Sequence, residues 1–490
     1  MRKAMLIMEE KKNRLKVIFN IITAVVFIVF VITLCPKEMQ NDTFWSIKVG
    51  ERLVRDGIFG LDYFSIHENL NYIAHHFLTD VVIYLVYNVS GFAGLYALEI
   101  FLACIMSGLL LYLNNLISKN RITAVILFIL QMIILSGYIA VRAQMISFIL
   151  FILEIIFLEK YKKSGNSRYI VYLSVIPVLL ANFHMGVVPF YFIILGVYGI
   201  SCIKFNFLCF ETVEKTDKKS LLALIIVGVI GLVTIFLNPY GIDGVVYPFK
   251  TFGNKFITST ISEFKPYSVW TDGGLSLFYS AIILFVLIIN KGKIKLNDIL
   301  LIFGTLFMNY TSIRYGSLFV ICSSVGLRYT SGLNTFFDSL NSGDKKALYC
   351  EILFVVFLLI ARRIAFWSDE YIPEDTYPVK ATEYLKGNIS SDIRIFNEYS
   401  WGAYLMLNDI KVYIDSRCDL YTEEYSNVTI ATDYKKIIEC DKEWKDILKE
   451  YNINTFLIEV DTSLDTLLSE SSEFNEVYRD DTAVIYCMVK

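Results

Sequence analysis

Long apolar runs alternate with short polar loops over the first three quarters of the chain, and this pattern predicts a bundle of membrane-spanning helices. Runs of about 15 to 20 apolar residues are long enough to cross a bilayer as helices. Eleven such segments lie near 17–35, 93–116, 122–139, 144–158, 169–183, 186–204, 219–237, 274–290, 296–310, 315–328 and 348–364. A further apolar run at 77–90 is short for a span and is interrupted by Asp80.

The charges of the loops decide how these segments cross. If the N-terminus is inside and 77–90 does not cross, the basic loops all fall inside, at 119–121, 160–168, 204–219, 291–295 and 328–346. The positive-inside rule requires this arrangement, and a crossing at 77–90 would put the same loops outside. We therefore expect a polytopic α-helical protein of the cell membrane with about eleven spans, its N-terminus inside and its C-terminus outside.

The first outer loop, 36–92, is expected to contain two helices that lie on the membrane surface. Segment 44–55 places Trp45, Val49 and Leu53 at helical spacing, opposite charged residues. That pattern is typical of an amphipathic interfacial helix with an aromatic anchor. Segment 77–90 is expected to lie at the interface or to re-enter the membrane.

Beyond residue 367 the pattern changes to short strands that alternate with amphipathic helices. Strands are predicted at 393–396, 411–414, 454–459 and 483–488, and helices at 377–387, 432–450 and 463–470. We therefore divide the chain into a transmembrane domain, 1–367, and an extracytoplasmic α/β domain, 368–490. From 369 to 490 there are 26 acidic and 12 basic residues, which agrees with an outer position.

Composition narrows the class of protein. The chain is 55% hydrophobic with a mean hydropathy of +0.53, which is too apolar for a soluble protein of 490 residues. Nine cysteines are scattered without a Cys-x-x-Cys pair or a metal-ligand spacing, so most are expected to pack in helices. The expected partner is the lipid bilayer, with no nucleic acid.

Polar residues that suit chemistry collect on the predicted outer side. All four histidines lie on or near that face, whereas the inner loops carry lysines without comparable clusters. The candidates for catalysis or substrate binding in this part of the chain are Asp42, His75, His76, Asp80, Arg142, His184, Glu263 and Arg314. In the outer domain Asp415 and Arg417 follow a predicted strand, where open α/β sheets bind ligands.

The order of these motifs resembles the GT-C superfamily of integral-membrane glycosyltransferases, and within it bacterial members without an assigned substrate. The resemblance covers most of the chain and rests on an early Asp-Thr-Phe-Trp at 42–45, Asp-Tyr-Phe-Ser at 62–65, His-Phe-Leu at 76–78, Val-Arg-Ala-Gln at 141–144, Asn-Phe-His at 182–184, Asn-Pro-Tyr-Gly at 238–241 and Tyr-Ile-Asp-Ser-Arg at 413–417.

The resemblance implies transfer of a sugar from a polyprenyl-phosphate carrier to an unknown acceptor on the outer face. It makes Asp42 the expected general base, because a carboxylate must take the acceptor's proton. Glu263 is a second acidic candidate. A cation must stabilise the departing phosphate, and Arg142, Arg314 or a divalent metal ion are the candidates.

Most of these residues also have a structural interpretation. Asp42 is suited to cap a helix that starts at Thr43. His76 and Asp80 share a helix face and offer two metal ligands, or only a polar face, with no third ligand in view. The arginines are suited to extend to the lipid headgroups at the membrane surface. Asp415 and Arg417 are suited to dock the C-terminal outer domain on the first outer loop through ion pairs.

Two other classes of function stay open on the sequence. Glu99 and Glu154 lie within predicted spans, where carboxylates are costly unless they are paired or hydrated. They are compatible with a transporter or lipid flippase, although no internal repeat is evident. A non-catalytic membrane protein whose outer domain binds a partner is the third interpretation.

Overall fold

The computed structural model describes residues 21–251, 254–267, 274–365, 368–388 and 393–489. The helices up to residue 365 are α1 Ile21–Leu34, α2 Asn41–Asp56, α3 Phe77–Ile117, α4 Arg121–Leu135, α5 Gln144–Ser164, α6 Arg168–Phe183, α7 Val188–Ile200, α8 Lys218–Thr234, α9 Gly241–Thr251, α10 Lys255–Thr260, α11 Gly274–Ile289, α12 Leu296–Thr311, α13 Gly316–Cys322, α14 Ser331–Ser339 and α15 Ser342–Ala365. The basic N-terminal stretch and the start of the first predicted span lie outside the described residues.

Two described helices, α3 and Arg121–Tyr138, are both long and apolar enough to cross a bilayer. Shorter apolar helices are Ile21–Leu34, Arg168–Phe183, Met185–Ile200 and Gly274–Ile289. The helical architecture with an α/β domain at its C-terminal end is confirmed, while the number of about eleven spans stays a prediction.

Helix α3 is broken at Gly91 into two parts. Its 41 residues would measure about 62 Å if straight, twice the hydrocarbon thickness of a bilayer. Gly91 has φ 60° and ψ −153°, a conformation that glycine adopts without steric cost. The segments 77–90 and 93–116 are therefore distinct helical pieces, as the loop charges require.

The short helix α13 lies at the centre of the bundle. It continues into a 3₁₀ helix, Ser323–Tyr329, and every residue from 316 to 327 is buried. A segment that is apolar on all sides has no face for water, and here protein rather than lipid covers it. Three two-residue strands, β1 Asn206–Phe207, β2 Phe210–Glu211 and β3 Ile294–Lys295, join two loops of the bundle.

The C-terminal α/β domain, which we name the outer domain after its predicted position, has a four-stranded sheet with the order β4-β5-β7-β6. The strands are β4 Ile395–Asn397, β5 Thr455–Glu459, β6 Phe474–Arg479 and β7 Ala483–Met488. Strand β4 runs parallel to β5, and β7 is antiparallel to both of its neighbours. The helices are α16 Val379–Asn388, α17 Gly402–Leu407, α18 Glu423–Ser426, α19 Ile430–Ile438, α20 Trp444–Glu450 and α21 Ser463–Ser469.

Two expectations for the outer domain are wrong in detail. Segment 411–414 is not a strand of the sheet, because Val412 instead forms a bridge with Ser65 of the first outer loop. The backbone N–H of Ile66 donates to the Val412 carbonyl at 2.9 Å. The single helix expected at 432–450 is two helices, with Cys440 between them at φ 54°.

The first outer loop and the outer domain share one hydrophobic core. Phe44 and Trp45 of α2 are buried in the same cluster as Trp401, Tyr413 and Phe456. Val49 and Leu53 are buried with them, so the apolar stripe of α2 faces protein. The expectation that this stripe anchors α2 in the headgroups is therefore wrong, because the outer domain and α3 cover it.

Candidate functional site

The two predicted catalytic carboxylates meet at one arginine. Arg142 forms an ion pair through Nη2 with Asp42, and its Nη1 lies 2.7 Å from Oε1 of Glu263. The side chains come from three separate parts of the chain and remain between one fifth and two fifths exposed. Although burial acts to lower it, the two carboxylates raise the pKa of Arg142, which keeps the guanidinium charged.

Asp42 is held in the first turn of α2 rather than at its cap. The helix begins at Asn41, and Trp45 Nε1 donates to Asp42 Oδ1 at 3.2 Å. A carboxylate in a first turn is favoured by the helix dipole. The Thr43 hydroxyl donates to the carbonyl of Val141 at 3.1 Å, which places Arg142 beside this turn. The capping role considered for Asp42 is therefore wrong.

Glu263 lies in a short 3₁₀ helix, Ser262–Phe264, that is tied to the segment before Arg314. The Ser312 hydroxyl donates to the Glu263 carbonyl at 2.9 Å, and the Ile313 N–H donates to the Lys265 carbonyl at 3.0 Å. A pair of phenol groups strengthens the junction, since the Tyr138 and Tyr267 hydroxyls lie 2.9 Å apart. These hydrogen bonds fix the position of the segment that carries Glu263 relative to the segment that carries Arg314.

Arg142 and both carboxylates line a cavity of about 640 Å³ between the bundle and the outer domain. Arg314 lines it too, with its guanidinium 4.9 Å from the centre of the Phe264 ring. Arg314 has no hydrogen bond or ion pair with the other described residues. A cationic fork with unused donors beside two carboxylates suits a ligand that carries a phosphate.

Three histidines pack together at the wall of the cavity. The ring centres of His75 and His76 lie 3.9 Å apart, and those of His76 and His184 lie 4.8 Å apart. Trp45 stacks on His76, and Tyr247 stacks on His75. His75 and His184 line the cavity, whereas His76 is not among its lining residues.

Burial keeps these imidazoles neutral. It lowers the pKa of His75 to about 4 and the pKa values of His76 and His184 well below the ordinary value. Arg314 adds to the effect on all three rings. His184 Nδ1 lies 2.7 Å from the Ser147 hydroxyl. Near neutral pH the cluster can therefore exchange hydrogen bonds with a ligand but does not attract a phosphate by charge.

Asp80 lies outside the cavity. It is fully buried where α3 crosses α2, and a Cβ atom on Gly50 would lie 2.1 Å from the Asp80 carbonyl oxygen. Within the described residues no three His, Cys, Asp or Glu side chains are grouped so as to hold a metal ion. The pair of His76 and Asp80 thus gains no third ligand among the described residues. Asp80 is covered by α2 and is not among the residues that line the cavity, so its role in substrate binding stays a prediction.

Asp415 and Arg417 join the outer domain to the first loop. Arg417 donates to both oxygens of Asp415 at 2.9 and 2.7 Å and to Asp62 at 2.6 Å. Phe64 and Tyr72 each lie 5.2 Å from the guanidinium. Arg417 reaches the cavity wall, but its charge is balanced by these two buried carboxylates. These contacts agree with the interpretation that Asp415 and Arg417 dock the outer domain on the first outer loop.

Other residues of the cavity were not singled out as candidates in the sequence. They include Tyr247 from α9 and Tyr399 and Ser416 from the outer domain. Asp419 also lines the cavity, and it follows the same predicted strand as Asp415 and Arg417. Burial raises the pKa of Asp419 to about 6, while a hydrogen bond with Tyr247 opposes that shift. The tyrosines carry no signal in a chain that contains 32 of them.

The chain was compared with known proteins and with solved structures. No family model matches the chain, and no curated protein matches it. Solved structures do match it, among them the oligosaccharyltransferase of Archaeoglobus fulgidus tethered with an acceptor peptide containing the NVT sequon. Identity is 11% and the TM-score is 0.57, over 96% of this chain and 74% of that one.

The same archaeal enzyme, AglB, matches in two further states. In complex with an inhibitory peptide and a dolichol-phosphate it is 10% identical with a TM-score of 0.58, over 89% of this chain and 69% of that one. In complex with zinc and sulfate it is 11% identical with a TM-score of 0.56, over 95% and 73%. The chain has the fold of these oligosaccharyltransferases, which is the GT-C fold that the order of its motifs predicts.

Proposed function

We propose that the protein is a membrane glycosyltransferase that moves a sugar from a polyprenyl-phosphate carrier to an acceptor at the outer face of the cell membrane. The observation that carries this proposal is the meeting of Asp42 and Glu263 at Arg142 in a cavity that also contains Arg314. The similar archaeal enzyme, which was solved with a dolichol-phosphate, supports a lipid phosphate as the donor's carrier.

In this reaction the acceptor forms a bond to the anomeric carbon of the sugar while the bond from that carbon to the phosphate oxygen breaks. Asp42 takes the proton that the acceptor loses, and the electron pair leaves with the polyprenyl phosphate. The ion pair with Arg142 and the hydrogen bond from Trp45 hold the Asp42 carboxylate in position. Glu263 holds Arg142 from its other side and faces the same space.

Arg314 is the proposed partner of the departing phosphate. Its guanidinium has unused donors in the cavity, and negative charge grows on the phosphate as the bond breaks. The neutral His75 and His184 are suited to sugar hydroxyls. Asp42 and Glu263 offer two metal ligands, and no third His, Cys, Asp or Glu side chain is grouped with them among the described residues. We therefore assign no step to a metal ion.

The transporter interpretation is less well supported. Glu99 and Glu154 are buried, and neither lines the cavity of about 640 Å³. A path through the bundle would need such groups to meet a polar cavity. Asp42, Arg142, His184 and Arg314 instead line one cavity, and this convergence supports the enzyme interpretation.

The test is an assay of the purified full chain with a panel of polyprenyl-phosphate sugars, using a cell-envelope extract as the source of acceptors. Release of polyprenyl phosphate is measured for the wild type, Asp42→Asn and the matched control Asp56→Asn at the exposed end of the same helix. We expect Asp42→Asn to lose about a hundredfold or more and Asp56→Asn to keep full activity. Equal turnover by Asp42→Asn and wild type, or no turnover with any donor, would overturn the proposal.

A further inference from the structure

A second cavity, of about 370 Å³, opens between the C-terminal half of α2 and the outer domain. Four of its lining residues are basic and two are acidic: Lys48, Arg52, Arg55 and Lys411 against Glu51 and Asp409. This basic cleft stands out because the outer domain is strongly acidic as a whole. It is distinct from the first cavity, since Arg52 follows Asp42 by ten residues, or about 15 Å along the helix.

Arg52 is oriented in the basic cleft without a hydrogen-bond partner. Its guanidinium carbon lies 3.5 Å from the centre of the Tyr63 ring and 5.5 Å from that of Phe59. The closest carboxylate contact, Nη1 to Asp56 Oδ2, is 3.7 Å and too long for a hydrogen bond. Its Nε is buried without an acceptor, and the other N–H groups have none among the described residues. Stacking on these rings thus fixes the plane of the Arg52 guanidinium, while its N–H groups donate no hydrogen bond to the described residues.

Lys411 supplies a second positive charge to the basic cleft. It is exposed, and among the described residues it forms no ion pair, while Val412 beside it is held by backbone bonds to Phe64 and Ile66. The other two bases are already paired. Lys48 Nζ lies 2.6 Å from both Glu51 and Asp409, and Arg55 pairs with Asp56. Lys411 thus has no ion pair among the described residues, and Arg52 has only the 3.7 Å contact with Asp56, which it shares with Arg55. These two side chains carry the positive charge that is most available to a ligand.

Exposed apolar side chains lie near the C-terminal end of α2, which lines the basic cleft, and on the first part of α3, which packs against α2. Val54 and Ile58 are exposed at the end of α2, and Leu85 and Val89 are exposed on the first part of α3, where Val89 is 82% exposed. The two helices pack against each other closely. Exposed apolar residues beside basic ones are the arrangement with which a protein surface meets anionic phospholipid.

We propose that the basic cleft binds the phosphate group of an anionic ligand, with Arg52 as the hydrogen-bonding fork and Lys411 as the second charge. A guanidinium matches phosphate oxygens with two parallel hydrogen bonds. The exposed apolar side chains of α2 and α3 favour the headgroup of an anionic lipid as the source of the phosphate. This site does not depend on the glycosyltransferase activity proposed for the first cavity.

The test measures how much a ligand stabilises the detergent-purified full chain against heat. Short-chain phosphatidylglycerol, short-chain phosphatidylcholine and soluble glycerol phosphate are titrated separately at physiological ionic strength. The variants are Arg52→Gln with Lys411→Gln, and Lys411→Gln alone, which removes no contact between described residues. The matched control is Lys435→Gln with Lys449→Gln, which removes the same charge from exposed pairs elsewhere in the outer domain.

We expect phosphatidylglycerol to raise the melting temperature of the wild type, and the double variant to need about tenfold more ligand for the same shift. Lys411→Gln should lie between the two, and the control should match the wild type. A shift with glycerol phosphate as large as that with the lipid assigns the phosphate to a soluble source. Equal shifts in wild type and both cleft variants, or no shift with any phosphate, would overturn the proposal.

Discussion

Arg417 donates a hydrogen bond from Nη1 to Oδ1 of Asp62 at 2.6 Å, and both side chains are almost completely buried. The bond joins the outer domain to the first outer loop across 355 positions of sequence. Because α2 ends at Asp56, only a few residues before Asp62, and shares the same core, this ion pair connects the outer domain to the helix that carries Asp42.

Removing one partner of this pair is expected to destabilise the outer part of the protein. Arg417→Met leaves Asp62 and Asp415 as buried carboxylates without a cation, at a cost of about 3 to 5 kcal/mol. Thermal unfolding and limited proteolysis of the full chain measure the loss. Lys445→Met, in an exposed pair with Glu473, is the control, at about 1 kcal/mol or less. If both variants melt together, the pair contributes nothing to docking.

The crossing of α2 over α3 is expected to tolerate no side chain at Gly50. In Gly50→Ala the new Cβ would meet the Asp80 carbonyl oxygen at 2.1 Å, so the helices must separate and take Asp42 with them. We expect a loss of about 1 to 3 kcal/mol and reduced turnover. Gly108→Ala in α3, where nothing lies within 4 Å, should be neutral or stabilising by about 1 kcal/mol. Normal turnover by Gly50→Ala would show that the crossing does not position Asp42.

Ser312 is expected to act through Glu263. Ser312→Ala removes the donor to the Glu263 carbonyl and loosens the loop that presents the carboxylate. Turnover should fall about tenfold, the equivalent of one lost hydrogen bond, with little change in melting temperature. Ser174→Ala, which removes a hydroxyl bonded only within its own helix α6, is the control. A parallel drop in stability and turnover would argue for a general structural defect instead.

Arg314 is expected to govern the affinity for the lipid-linked donor. Arg314→Gln keeps some hydrogen-bonding capacity but removes the charge, so KM for the donor should rise by about tenfold or more while KM for the acceptor stays close to that of the wild type. Steady-state kinetics with each substrate varied in turn separate these effects. Arg168→Gln, an exposed arginine remote from the cavity, is the control. An unchanged donor KM would remove Arg314 from the site.

The stability of the outer part is expected to fall as the pH drops from about 6.5 towards 4. Burial lowers the pKa of His67 to about 4, although a bond to the Tyr413 carbonyl opposes this. The unfolded chain therefore binds a proton that the folded chain does not, so stability is complete above the ordinary pKa near 6.5 and is lost below it, by up to about 3 kcal/mol.

Melting curves between pH 7.5 and 4.5, as approximate limits of the titration range, measure this effect. His67→Gln should show a shallower dependence, reduced by about one proton, since the buried His75, His76 and His184 still titrate in the same direction. An identical slope in the variant would mean that His67 is not held neutral.

Most helices of the bundle and the residues of the site motifs could be predicted from the sequence. Apolar periodicity and loop charge are local properties, and they predicted the helices and the separation of 77–90 from the following segment. The Asp-Thr-Phe-Trp run and the arginine at 142 identified residues that do line one cavity with Glu263 and Arg314. Contacts between distant segments were harder to foresee. The expected strand at 411–414 pairs with Ser65 instead of the sheet, because backbone bonding partners depend on which edge is adjacent.

By itself, then, the sequence determined the membrane class, the helical bundle with an α/β domain after it, and the side chains able to do chemistry. Periodicity and charge express these properties without knowledge of neighbours. Only the tertiary structure decided which side chains meet. It joined Asp42 and Glu263 through Arg142, used Asp415 and Arg417 for docking, and covered the stripe of α2 with the outer domain. An amphipathic stripe shows that a face will be buried but not what will bury it, and a carboxylate acquires its role from the cation beside it.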